Sequence, residues 1–404
     1  MSNNAVTKGK SVENFRAEVE AVLDDRFRET AAEAERQRVF PREVLARLGA
    51  AGIFTDKWAG GYRFQLAKLV GLHTALGAAC SGGVGVGVSL HDSALAILHR
   101  FASSDHLRSL CADAMAGTAV LCIGASEEMV GSDLQAVRTT AVRDGSGYVL
   151  TGAKAFVSLS SVADFALVLA QCVDNGGGHR PGNLGLFVLP LTSASVGKPY
   201  DQLGANSLDT APIEFDTWLP DEALLGRPGT GLAAITWGLT HERLAIAAQV
   251  SGACDRVLGL TVARMMRREQ FGKPLFDHQA LRLRVADLHA KVAMLRLALQ
   301  GIAAAEQIDI RTAAGLKVTA ARLGQEVVGE CLHIFGGLGY LTEETPLARW
   351  WQDMRLSRIG SGTDEVLWEL VAAGMKPDFN AYDALFGHQM LDRPARNDPS
   401  AESK

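Results

Sequence analysis

AVLCI (119–123), YVL (148–150), AFVSL (155–159), FALVLA (165–170), LGLFVLPL (184–191) and APIEF (211–215) follow one another between Thr118 and Leu225. Turn residues such as Asp144-Gly145-Ser146-Gly147 separate them. Short β-branched and aromatic runs bounded by turn formers predict strands, so the middle of the chain reads as a compact, β-barrel-like domain. N-terminal to it, Phe15, Val19, Val22, Leu23 and Phe27 recur at helical spacing, and Val44, Leu45 and Leu48 do so again after Pro41. On the other side, Leu281, Val285, Leu288, Val292, Leu295 and Leu299 mark one face of a long helix. The predicted class is α+β in the order helix, sheet, helix. Residues 1–117 form an N-terminal all-helical domain, 118–228 the middle β domain, 229–378 a C-terminal four-helix bundle, and 379–404 a tail. A chain of 404 residues suits two or three domains at roughly 150 residues each.

Composition removes several function classes. Forty basic against forty-five acidic side chains give a net charge of −5, so no global basic field exists to hold nucleic acid or an anionic membrane. Cys80, Cys111, Cys122, Cys172, Cys254 and Cys331 form no CxxC pair and read as buried thiols of a reducing compartment. The opening MSNNAVTKGKSVENF lacks the apolar core of a signal peptide, and the expected location is cytoplasmic. Val70 to His91 carries no Asp, Glu, Lys or Arg, yet its six glycines argue for two buried helices broken at Ser81-Gly82-Gly83 rather than a membrane span. The insert 174–182 reads as an exposed loop and 393–404 as disordered. No GxGxxG after a strand, P-loop, HExxH or GxSxG occurs, and the histidines lack metal-ligand spacing, so no metal is expected.

Four clusters carry more specific information: ASEEMVGSDLQA (125–136), GAKAFVS (152–158), RREQFGKPLFDHQA (267–280), and FGGLGYLTEETPLARWWQD (335–353) with IGSGTDEV (359–366). Their order and spacing resemble the acyl-CoA dehydrogenase family of flavoproteins. That resemblance implies FAD, an acyl thioester substrate on coenzyme A or an acyl carrier protein, an electron-transfer flavoprotein as acceptor, and a homodimer or homotetramer. It places Ile123, Ser126, Ser132, Phe156, Ser158 and Thr363 against the flavin. Arg268, Phe271, His278, Gln279, His333, Gly336 and Gly337 then meet the FAD of a neighbouring subunit. Phe156 stands where tryptophan is usual, His333 where glutamine is, and Gln352 where arginine precedes Asp353.

Dehydrogenation of a thioester needs a carboxylate to take the α-proton. Many family members supply it from an EGT motif, but this chain reads Gly360-Ser361-Gly362-Thr363. Members resembling the isovaleryl and long-chain branch carry the glutamate in the helix that opens the C-terminal bundle, and Glu242 of Thr240-His241-Glu242-Arg243-Leu244 falls there. A Glu beside Arg on a helix otherwise reads as a solvated pair. Ser132, Thr240, Arg243, Ser361 and Gly362 are the expected substrate contacts. The small Gly360-Ser361 pair leaves room for an α-branched or otherwise bulky acyl group. A flavin oxidase or monooxygenase, and a non-catalytic flavin-binding assembly protein, are the alternatives on the same scaffold.

Overall fold

The computed structural model describes residues 14–58, 65–79, 81–173, 182–305 and 307–390. The expectations for the N-terminal stretch before residue 14, for 174–181, for Cys80 and for 393–404 fall outside them. The N-terminal third is helical: α1 (14–22), α2 (Asp25–Gln37), α3 (Glu43–Ala50), α4 (Ile53–Asp56), α5 (Leu66–Ala78), α6 (Gly83–Phe101) and α7 (Asp105–Met115). Local chemistry sets the ends. Asp24 caps α2 by accepting from the Phe27 N–H at 2.9 Å, an arrangement that stabilises a helix by about 1 kcal/mol. The charge-free segment is split between α5 and α6, with Gly82 at φ 56 in the break. No helix among the described residues is long and apolar enough to cross a membrane.

The middle third supplies β1 (Leu121–Gly124), β2 (Thr140–Asp144), β3 (Gly147–Ser158), β4 (Phe165–Val173), β5 (Leu184–Pro190), β6 (Ser195–Val196), β7 (Thr210–Pro220) and β8 (Leu224–Leu225). They form one eight-stranded sheet in the order β6-β7-β3-β2-β4-β5-β8, with β1 parallel to the first half of β4. The β4 and β5 runs are buried along most of their length, as continuous apolar strands with both faces covered should be. The register between β3 and β7 slips between Lys154 and Val157, where Phe156 takes φ 56. This is a bulge that re-aims a side chain.

The last third is α8 (Gly231–Arg267), α9 (Gln279–Ala303), α10 (Ile310–Phe335), α11 (Gly337–Tyr340), α12 (Leu347–Leu356) and α13 (Asp364–Ala372), with a hairpin β9 (Glu269–Gln270) and β10 (Lys273–Pro274) between α8 and α9. Residues 379–390, expected as part of a tail, instead form α14 (Phe379–Met390), started by the Asp378 carboxylate accepting from the Ala381 N–H at 3.0 Å. Helix α8 ties the parts together. A Cβ on Gly77 would lie 1.9 Å from the Gln249 carbonyl oxygen, and one on Gly252 2.1 Å from that of Thr74. Glycine is therefore what lets α5 and α8 touch backbone to backbone.

A candidate active site between the sheet and helix α8

A cavity of about 560 Å³ opens where the helical N-terminal part, the sheet and the C-terminal helices meet. One wall is the α8 stripe Glu242, Ile246, Gln249, Ala253 and Val257, which the 3.6-residue period puts on one face. A second wall comes from the sheet and the loop after β1: Ile123, Ser126, Ser132, Phe156 and Ser158. The third is the turn 359–363 after α12. Of the expected site residues, Glu242, Arg243, Ser361, Gly362 and Thr363 therefore share one space with Ile123, Phe156 and Ser158 of the sheet and with Ser126 and Ser132 of the loop after β1.

A buried ion pair fixes the loop bearing the serines. The Glu127 carboxylate accepts from Lys154 Nζ and the Thr139 hydroxyl, each at 2.7 Å, and from the Thr139 and Arg138 N–H groups at 2.9 and 2.7 Å. Burial would raise its pKa, but these donors outweigh that and hold it down to about 2. The Ser126 carbonyl accepts from the Ala155 N–H at 2.9 Å, fastening this loop to the β3 bulge. The bulge in turn leaves Phe156 62% exposed, its ring 5.2 Å from that of Tyr200. Ser158 Oγ lies 3.0 Å from Thr210 Oγ1. Glu127 and Lys154 stand inside two of the four sequence clusters without a role assigned to them; the signal was present, but lysine in a strand reads as a surface residue until its partner is placed.

The opposite wall is unusual in backbone and in charge. Ser361 has φ 58 and Gly362 φ 104. The Ser361 carbonyl accepts from Arg243 Nε at 3.1 Å, and the Gly362 carbonyl from Lys317 Nζ at 2.7 Å. Two polar atoms have no protein partner: Arg243 Nη1 and Ser361 Oγ. Glu242 is only 6% exposed. Burial pushes its pKa up to about 7, against the opposing pull of Arg243 and Lys317. Thus the Glu-Arg pair is enclosed rather than solvated, because α5, α6 and α10 pack around this half of α8.

Other expected residues lie elsewhere. Thr240 is buried and is not among the residues lining the cavity; its hydroxyl donates to the Thr236 carbonyl at 2.8 Å, turning back onto its own helix. Arg268, Phe271, His278 and Gln279 sit on the β9–β10 hairpin and the start of α9, away from the cavity, with Phe271 95% exposed. His278 Nε2 pairs with the Gln270 carbonyl at 3.1 Å. His333, Gly336 and Gly337 cluster at the exposed end of α10, where nothing lies within 4 Å of a Cβ added to either glycine.

Three acyl-CoA dehydrogenase domain patterns match the chain in order: the N-terminal domain over residues 10–118, the middle domain over 122–218 and the C-terminal domain over 229–376. The chain belongs to the acyl-CoA dehydrogenase family. It is thus an oxidoreductase that dehydrogenates acyl thioesters with FAD. Among its relatives, the acyl-[acyl-carrier-protein] dehydrogenase MbtN of Mycolicibacterium paratuberculosis is 55% identical over 376 residues, 93% of this chain and 97% of that one. The long-chain specific acyl-CoA dehydrogenase of Rattus norvegicus mitochondria is 30% identical over 74% of this chain and 71% of its own. A solved putative acyl-CoA dehydrogenase of Mycobacterium smegmatis superimposes with a TM-score of 0.83 at 28% identity, covering 89% of this chain and 96% of that chain. Butyryl-CoA dehydrogenase of Megasphaera elsdenii, at 24% identity and TM-score 0.82 over 92% of this chain and 98% of its own, shares the fold.

Proposed function

We propose that Glu242 takes the α-proton of an acyl thioester lying along α8, while the sheet wall holds the flavin ring. The donor set suits that ring: the hydroxyls of Ser126, Ser132 and Ser158 are hydrogen-bonding groups for its polar edge, Phe156 offers an apolar face, and Ser361 Oγ and Arg243 Nη1 are polar atoms in want of a partner. FAD, when bound, supplies the two-electron acceptor for the hydride leaving the β-carbon. The Ser361-Gly362 turn and Arg243 border the place where the thioester meets the base.

The observation that carries this reading is the setting of Glu242. It is one of two acidic residues lining the cavity; burial raises the other, Asp353, to about 7 as well, but its Oδ1 is committed to the Ala205 N–H at 2.6 Å. A carboxyl poised near 7 is matched to proton abstraction at neutral pH. Glu242→Gln should keep FAD and bind the thioester normally, yet lose flavin reduction by at least about a hundredfold. Near-normal reduction would move the base elsewhere.

The cavity offers length along α8 as well as the room beside Gly360-Ser361 that an α-branched acyl group needs. From Glu242 to Val257 the lined stretch of α8 covers about 22 Å at 1.5 Å per residue. It ends among Val328, Trp350 and Met354. A long acyl chain fills it, and the acyl-carrier-protein dehydrogenases among the relatives make carrier-bound acyl groups the preferred form. Comparing kcat/KM for one long acyl group on carrier protein and on coenzyme A tests the carrier: an advantage for the coenzyme A ester rules it out. The exposed Arg268, Phe271, Gln279, His333, Gly336 and Gly337 face solvent as a subunit contact would require, with Arg268 the cation for a neighbour's FAD pyrophosphate. An electron-transfer flavoprotein is the acceptor implied by the family resemblance.

A further inference from the structure

Lys317, in the first third of α10, is fully buried, and an ammonium is rarely enclosed unless its charge is used. Its hydrogen bond goes to the Gly362 carbonyl at 2.7 Å, a neutral acceptor. The nearby acid of α13, Asp364, pairs through Oδ2 with Arg358 Nη2 at 2.5 Å and Arg322 Nε at 3.7 Å, so Lys317 shares it with two arginines while also facing Glu242. Arg243 from its own helix and Lys317 from α10 are the cations that oppose burial at Glu242, the Ser361-Gly362 turn they hold is uncharged, and Asp353 is the other acid of the cavity, raised by burial to about 7. Those two cations hold successive carbonyls of a turn whose first residue is a non-glycine at positive φ, a conformation that persists only when its surroundings impose it.

We propose that Lys317 is a positioning residue of the dehydrogenation: it fastens the left-handed Ser361-Gly362 turn of the cavity that holds Glu242 and adds, beside Arg243, a second positive charge that favours ionised Glu242. The proposal rests on Glu242 being the base. It assigns to a buried lysine a duty that an uncharged side chain of the same length could not perform. Arg243 cannot substitute, because its Nε is engaged with Ser361 and its charge is present in either case. Burial lowers the Lys317 ammonium to about 8, while the carboxylates of Asp364 and Glu242 act to keep it charged.

The test uses FAD-loaded Lys317→Met, Lys317→Gln and Lys317→Arg, with single-turnover flavin reduction by a thioester followed from pH 5.5 to 8.5 (about three units, to bracket the limb). Loss of the charge should move the acidic limb upward by about one pH unit in the Met and Gln variants, the usual effect of removing an opposite charge. FAD content should stay within about twofold, and the Arg variant should keep the original limb. A slower reaction with an unmoved limb would show that Lys317 only supports the fold, and an equal displacement in the Arg variant would also overturn the proposal. If the Met variant fails to fold, the contrast between Gln, which retains a donor for Gly362, and Arg, which retains the charge, makes the same distinction. Glu242→Gln separates the two levels: a normal rate and limb there would remove the base assignment and this proposal with it, whereas a lost rate with no Lys317 effect removes the proposal alone.

Discussion

Replacing Glu242 by Gln should make the protein more stable at alkaline pH, and the amount follows from its burial. The carboxyl rises from an ordinary 4.5 to about 7 in the folded chain, chiefly through burial. The folded state therefore binds more protons than the unfolded state between those values, so stability falls as pH rises through that window and levels off above it. At about 1.4 kcal/mol per pH unit, the wild-type protein at pH 8 forgoes about 3 kcal/mol that it keeps at pH 4. Gln does not titrate. Thermal melts of both FAD-loaded proteins at pH 5 and pH 8 should thus show the variant gaining on the wild type by a few degrees between the two conditions. Any packing cost of the amide appears at both pH values and cancels in the comparison. A wild type that gains on the variant as pH rises, or no change in their separation, would refute the claim that Glu242 is held in a setting hostile to its charge. Such an outcome would remove the physical reason for assigning it the base.

The other expectations concern separate parts of the structure. Ser361→Glu in a Glu242→Gln background should partly restore flavin reduction, since Ser361 Oγ and Glu242 line one cavity and Arg243 Nη1 stands ready for a carboxylate; no recovery with FAD and thioester bound would argue against position 361 as a second location for the base. Arg268→Ala should weaken FAD retention without changing the sheet wall, and tight FAD binding by a strictly monomeric protein would contradict a shared cofactor site. Lys154→Met leaves Glu127 buried without its cation and should cost about 3 kcal/mol or more, lowering the melting temperature and loosening the Ser126 loop; an unchanged melting temperature would show that the Thr139 and Arg138 donors suffice.

The fold was legible because its signals are periodic. Apolar runs gave the strands, helical spacing gave the outer thirds, and the glycine-rich Val70–His91 segment resolved into α5 and α6 at the expected break. The site was less legible, for a reason shared by its most informative residues. Lys154, Lys317, Glu242 and Arg243 are charged side chains, for which exposure is the prior expectation, and only three-dimensional enclosure reverses it. The long helix α8 is packed on several sides along the half that carries Glu242, so the amphipathic pattern that would betray an inner face is absent. Backbone events were hidden as well. Phe156 and Ser361 are not residue types that announce positive φ, and nothing in their neighbours says that one forms a bulge and the other a clamped turn.

These two strained positions line the same cavity, and at Ser361 the chemistry explains why. A base carried on a rigid helix needs no mobility from the turn opposite, so the turn at 360–363 can be fixed by two cations and given over to shaping the space beside the α-carbon. Side chains there can then be small: Gly360 has only the Leu356 carbonyl oxygen within 4 Å of an added Cβ, at 3.6 Å. The same cations that hold the turn also oppose the effect of burial on Glu242, whose pKa would otherwise stand higher still. Moving the carboxylate from the turn to α8 therefore couples two requirements. The turn supplies geometry through its carbonyls, the buried Arg243 and Lys317 supply charge, and a substitution at either cation should disturb both together.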